Sequence, residues 1–126
     1  MWYQVNRNKY NAKRTEFNGR VYDSKHEAGV AADIDLLVKS GQVVKVEPQK
    51  TFNLYGKNGA RICTHRPDFL LTFKDGHQEV WEAKGWASPV WAIKRKLFED
   101  NYPDIIYMVI TAKGWFTGNR RMKGKI

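Results

Sequence analysis

Two short runs constrain the fold of this 126-residue chain more than any other feature: Phe69-Leu70-Leu71-Thr72-Phe73 and Val80-Trp81-Glu82-Ala83. Neither alternates cleanly between apolar and polar residues. A strand that is apolar on both sides must be covered on both faces, so the two runs read as the centre of a sandwiched sheet. Asp75-Gly76 between them is a hairpin signal. Yet Asp68 stands at the head of the first run, just after Pro67, and Glu82 and Lys84 lie on the second. Charges in such places are costly unless paired, metal-bound or functional.

The flanking sequence supplies the other layers. Asp23-Ser24 opens a helix that runs to about Lys39 and closes at Ser40-Gly41. Val43 to Val46 and Thr51 to Tyr55 read as short strands, and Gly56-Lys57-Asn58-Gly59 as a turn. Arg61 to Phe73 is extended and broken at Pro67; Glu79 to Lys84 is the next strand. Pro89 to about Asn101 is a second helix, ended before Pro103, and Ile105 to Ile110 a buried strand. This order predicts an α/β fold, a mixed sheet flanked by helices, over residues 23–116. Residues 1–22 read as a basic N-terminal arm and 117–126 as a basic flexible tail.

Charge narrows the partners. The 22 Lys and Arg against 13 Asp and Glu leave +9, an excess that suits a polyanion, most simply nucleic acid. An anionic membrane surface competes, but no basic amphipathic helix offers it an apolar face. A merely soluble basic protein would carry the same charge. No run approaches the ~20 apolar residues of a spanning helix, and MWYQVNRNKY has no apolar stretch after its first charges, so neither membrane span nor signal peptide is expected. Cys63 is the only cysteine, which forbids an intrachain disulfide and fits a reducing cytoplasm.

Register tests whether the three charges can meet. Glu82 and Lys84 share one face of their strand, with Trp81 and Ala83 on the other. A two-residue loop, Asp75-Gly76, would put Asp68 opposite Ala83, on the wrong face. A three-residue loop, Asp75-Gly76-His77, pairs Asp68 with Lys84 instead, so a Gly-bulge hairpin is expected. Two converging carboxylates repel unless a divalent cation lies between them, and oxygen ligands of this kind suit Mg²⁺ or Mn²⁺. A surface Asp–Lys pair on an edge strand is the plainer alternative. On the first helix, with ~100° per residue, Ala31, Ile34 and Val38 fall at about 40°, −20° and 20° from Glu27. Glu27 therefore heads the apolar stripe and either caps the helix against Ser24 or points into a site.

Pro67-Asp68, a spacer and Glu82-Ala83-Lys84 resemble the PD-(D/E)XK nuclease superfamily. With the upstream Glu27 helix and the Lys94-Arg95-Lys96 helix, the layout from about Ser24 to Ile110 is similar to the phage endonuclease I family, which resolves Holliday junctions. The opening KYNAKRTEFNGRVYDSKHEA looks closer still to a group of small phage proteins with the same signature. The resemblance implies a restriction-endonuclease-like core and a Mg²⁺- or Mn²⁺-dependent endonuclease acting on branched DNA as a homodimer, in the bacterial host cytoplasm if phage-encoded. It implies no small-molecule cofactor. By position it makes Glu27, Asp68, Glu82 and the Ala83 carbonyl the metal ligands and Lys84 the catalytic lysine. The longer C-terminal extension of that family is missing, and the N-terminal arms differ.

Candidate phosphate contacts are Arg66, Lys94, Lys96 and the tail residues Arg120, Arg121 and Lys123, each equally readable as a solvated charge. His26, His65 and His77 are not spaced as a metal pair, and His65 reads as a surface histidine. Trp86 and Trp91 flank the motif, suited to stacking on a base or to packing the helix. A non-catalytic DNA-binding protein that keeps the fold, or an RNA-cutting enzyme on the same site, would leave the same residues.

Overall fold

The computed structural model describes residues 15–17, 20–22, 25–111 and 113–117. Two short strands, β1 (Thr15–Phe17) and β2 (Arg20–Tyr22), precede helix α1 (Lys25–Lys39). Strands β3 (Val43–Pro48), β4 (Phe52–Tyr55), β5 (Arg61–His65), β6 (Phe69–Phe73) and β7 (Gln78–Ala83) follow. Helix α2 (Pro89–Asn101), β8 (Ile105–Thr111) and β9 (Gly114–Thr117) complete the order. The main sheet has five strands in the order β3-β6-β7-β8-β9. Only β7 and β8 run parallel within it; the other neighbours are antiparallel. This is the expected α/β class with a mixed sheet flanked by two helices, consistent with a restriction-endonuclease-like core.

Both faces are covered, as the apolar runs require. Phe69, Leu71, Trp81 and Ile110 point to one side and bury Ala28, Val30, Ala31 and Ile34 of α1. Leu70, Val80, Tyr107 and Val109 point to the other, against Phe98 of α2 and Phe52 and Leu54 of β4. The alternation of strand side chains sorts these residues, so Glu82, in step with Val80, belongs to the α2 side. Leu71, Val80 and Phe98 are fully buried; truncating such a side chain to alanine costs ~2–5 kcal/mol.

The helices end where their residues dictate. The Ser88 hydroxyl accepts from the Trp91 N–H at 3.1 Å with Pro89 opening α2, and Tyr102 closes it. At the end of α1, Gly41 takes φ +85°, while its N–H bonds the Val38 carbonyl and that of Gln42 bonds Leu37, both at 3.0 Å. In that last turn Leu37 packs on the core and Val38 is 42% exposed, so the apolar stripe ends one residue earlier than its wheel position suggests.

Three features depart from the sequence reading. The extended stretch from Arg61 to Phe73 divides at Pro67 into two strands of different sheets. β5 pairs with β4 in a separate hairpin over α2, while β6 joins the main sheet. Residues 15–22 of the expected arm contain the β1–β2 hairpin, which packs against α1. β9 extends the sheet past the expected last strand. Arg120, Arg121 and Lys123 lie outside the described residues, as does Ser24, the proposed helix cap. No helix among the described residues is long and apolar enough to cross a membrane.

Candidate active site

The β6–β7 hairpin brings the acidic pair together. Its partners are Phe69 with Trp81, Leu70 with Val80, Leu71 with Glu79 and Thr72 with Gln78. The Phe73 carbonyl accepts from the Gly76 N–H, and the Phe73 N–H donates to the His77 carbonyl, both at 2.9 Å. The loop is therefore a three-residue Gly-bulge loop as expected, but it is Lys74-Asp75-Gly76, one residue earlier. The reason is steric: the last loop position needs a left-handed backbone, and Gly76 adopts φ +96° there. Continued by one residue, this register sets Asp68 opposite Glu82 rather than Lys84. The shift of the frame preserves parity, so all three charges stay on one face.

Asp68 is held through its main chain and its side chain. Its N–H donates to Glu82 Oε1 at 3.2 Å, and its Oδ2 accepts from the Ala83 N–H at 2.9 Å. Its carbonyl accepts from the Gln49 N–H at 2.9 Å, at the end of β3. Its carboxylate thus takes a ladder position on β7, beside the Glu82 side chain. Glu82 is only 6% exposed. Burial, and then the charge of Asp68, push its carboxyl up to about 8, although Lys84 acts in the opposite direction. The charged form of Glu82 is therefore disfavoured as it stands.

Lys84 faces the pair. Its Nζ lies 3.5 Å from Glu82 Oε2 and 4.7 Å from the centroid of the Trp91 ring. The ammonium is held between a carboxylate and an aromatic face. The Trp91 ring meets the Arg95 guanidinium at 5.6 Å and the Tyr107 ring edge-on at 6.4 Å. The Lys84 N–H donates to the Ile110 carbonyl at 2.9 Å, continuing the parallel pairing of β7 with β8. That carbonyl also accepts from His26 Nε2 at 2.8 Å. His26 thereby ties the first turn of α1 to the end of the sheet that carries the motif.

Glu27 is half-buried in that first turn. However, α1 covers the face opposite Asp68, Glu82 and Lys84. Among the described residues no group of three His, Cys, Asp or Glu is placed to hold a metal ion.

His65 is a correction to its surface reading. It is 6% exposed, and its Nε2 lies 2.7 Å from the Tyr107 hydroxyl. Burial first, then the charges of Lys94 and Lys84, lower its pKa to about 4. Burial and the nearby charge of Glu82 push the Tyr107 hydroxyl upward. Both lysines act on one buried imidazole, so Lys94 lies on the site's side of α2. Arg66 is exposed just ahead of Pro67, and Lys96 is exposed on α2. Cys63 is half-buried in β5. The signal for His65 was its position at the end of β5, two residues before Pro67.

Residues 7–118 match the family described as "Protein of unknown function (DUF1064)". The chain belongs to this family. The DUF1064 match takes in both helices, Asp68, Glu82 and Lys84, and stops before Arg120. No curated protein matches the sequence.

Proposed function

We propose that this DUF1064 chain is a divalent-metal-dependent DNA endonuclease of the PD-(D/E)XK type, selective for branched DNA and acting as a homodimer in phage recombination or DNA processing. The observation that carries the reading is the convergence of Asp68 and the buried Glu82 on one face of the sheet, with Lys84 Nζ at 3.5 Å from Glu82. Such an arrangement is costly to the free protein, because burial and repulsion both oppose the charged form of Glu82. A cation beside the two carboxylates reverses that cost, so the donor set fits Mg²⁺ or Mn²⁺.

Asp68, Glu82 and the Ala83 carbonyl would hold the ion. Its chemistry there would be polarisation of a phosphoryl oxygen and a lowered pKa for a bound water. The chain's own groups do the rest. The Ala83 N–H fixes one Asp68 oxygen and thereby the direction of the other. Lys84 offers its ammonium to the negative charge that grows on the phosphate oxygens as water attacks phosphorus. Trp91 limits the positions that ammonium can take. Lys94, Lys96 and Arg66 supply cations to the flanking backbone. Glu27, in the first turn of α1, would complete or support the site.

The test is a Mn²⁺ titration of the wild-type protein beside Asp68→Ala. Saturable binding that is lost in the variant is the expected result. Equal binding by both proteins, or cleavage undiminished in Asp68→Ala, would sink the assignment and favour a DNA-binding protein whose acidic pair is structural.

A further inference from the structure

The margin of this site is apolar, which phosphate binding does not require. Trp86 is 76% exposed, more than the other exposed large hydrophobic residues described. It follows Lys84 by two residues, in the irregular segment between β7 and α2. Its Cα is therefore no more than about 7 Å from that of Lys84. Val90 and Ile93, 63% and 66% exposed, continue along the outer side of α2. The exposed Lys96 comes next at the same spacing of three. This stripe is separate from the inner side of the helix, where Trp91 and Phe98 pack.

The two tryptophans of this corner do different things. The face of Trp91 is taken by the Lys84 ammonium. Trp86 stands in solvent beside it. An aromatic face next to a phosphate-binding lysine, followed by a stripe that ends in a cation, has the chemistry of single-stranded nucleic acid binding: bases stack on the ring while cations follow the backbone. Continuous duplex cannot use it, since its bases are already stacked.

Resting on the nuclease reading, we infer that Trp86 is the stacking platform for an unpaired nucleobase next to the phosphate that is cut. The preferred substrate class is then DNA with an unpaired or displaced base at the cleavage point. Local charge decides for this occupant over a second copy of the chain seated on this face: two copies would set their Lys84 and Lys96 groups against one another. A copy seated on Trp86 would also lie across the approach to Lys84.

The experiment is equilibrium binding by fluorescence anisotropy in EDTA, so that nothing is cut. The probes are a labelled duplex interrupted by a short unpaired loop and its continuous counterpart. Trp86→Ala should weaken binding to the interrupted duplex about 10-fold, within the range that stacking of one base spans. It should leave continuous duplex unchanged, and Trp86→Phe should restore most of the loss. An equal loss on both probes, no loss on either, or no binding by the wild type would overturn the inference. So would sedimentation as a dimer that Trp86→Ala converts to monomer, which would make the stripe a protein interface. Selective binding without cleavage in Mg²⁺ would support the Trp86 platform and overturn only the nuclease reading.

Discussion

The β6–β7 hairpin carries acidic residues at both ends, and the two ends treat them in opposite ways. At the tip, His77 Nδ1 meets Asp75 Oδ1 at 2.6 Å and Nε2 meets Glu79 Oε2 at 2.8 Å, while the Trp81 indole N–H donates to the other Glu79 oxygen at 2.8 Å. Bonds to Glu79 and then Asp75 raise the His77 pKa, and the backbone N–H of His77, followed by its side chain, lowers that of Asp75. At the tip one imidazole serves both carboxylates, in contact with water. At the base the same residue types are buried. Two carboxylates share one lysine, and the pKa of Glu82 moves upward, against its charge. The tip is satisfied as folded, whereas at the base burial opposes the ionisation of Glu82 that a bound cation would favour. The difference lies in burial, not in the acids themselves or in their ratio to the base they share.

Substitutions at five positions break or sharpen this contrast. Asp68→Ala should slow DNA cleavage on the order of 1000-fold, the several kcal/mol that a metal site contributes. Asp75→Ala, at the tip, should leave the rate unchanged in the same gel assay. The histidines near the two ends should show opposite pH signs in thermal melts. His65 is depressed from 6.5 to about 4, so its contribution is present above pH 6.5 and lost as pH falls toward 4. That loss is on the order of 3 kcal/mol, and His65→Gln should remove the acid sensitivity. Trp91→Leu should reduce cleavage roughly 2- to 30-fold, as expected for losing a cation–π contact to Lys84, with Trp91→Phe intermediate. His77 is raised, so its contribution is present below pH 6.5 and fades as pH rises through its folded pKa. Because His77 is partly exposed, His77→Ala should move the melting midpoint by no more than about 2 °C.

Much of the layout was legible because it follows from local rules. The apolar runs around Leu71 and Val80 required two covered faces, and the helix limits at Gly41, Pro89 and Pro103 follow from backbone chemistry. The parity argument placed Asp68 on the face of Glu82 and Lys84 even though the loop frame was one residue off. What escaped the sequence depends on distant contacts. Nothing local says that β4 and β5 leave the main sheet to cover α2, or that His65 finds the Tyr107 hydroxyl 42 residues away. Pro67 marked a break in the chain but not that the break separates two sheets. Glu27 was legible as a carboxylate on an apolar stripe, whereas its layer, opposite the acidic pair, was set by the sheet order.

Cleavage of a labelled four-way junction, run beside its matched linear duplex in Mg²⁺ and Mn²⁺ with Lys84→Ala as control, tests the central claim most directly. The junction should be cut, the duplex far less, and the variant should cut neither. Tight binding of the junction with no cutting in either metal, or cutting that survives Lys84→Ala, would contradict it.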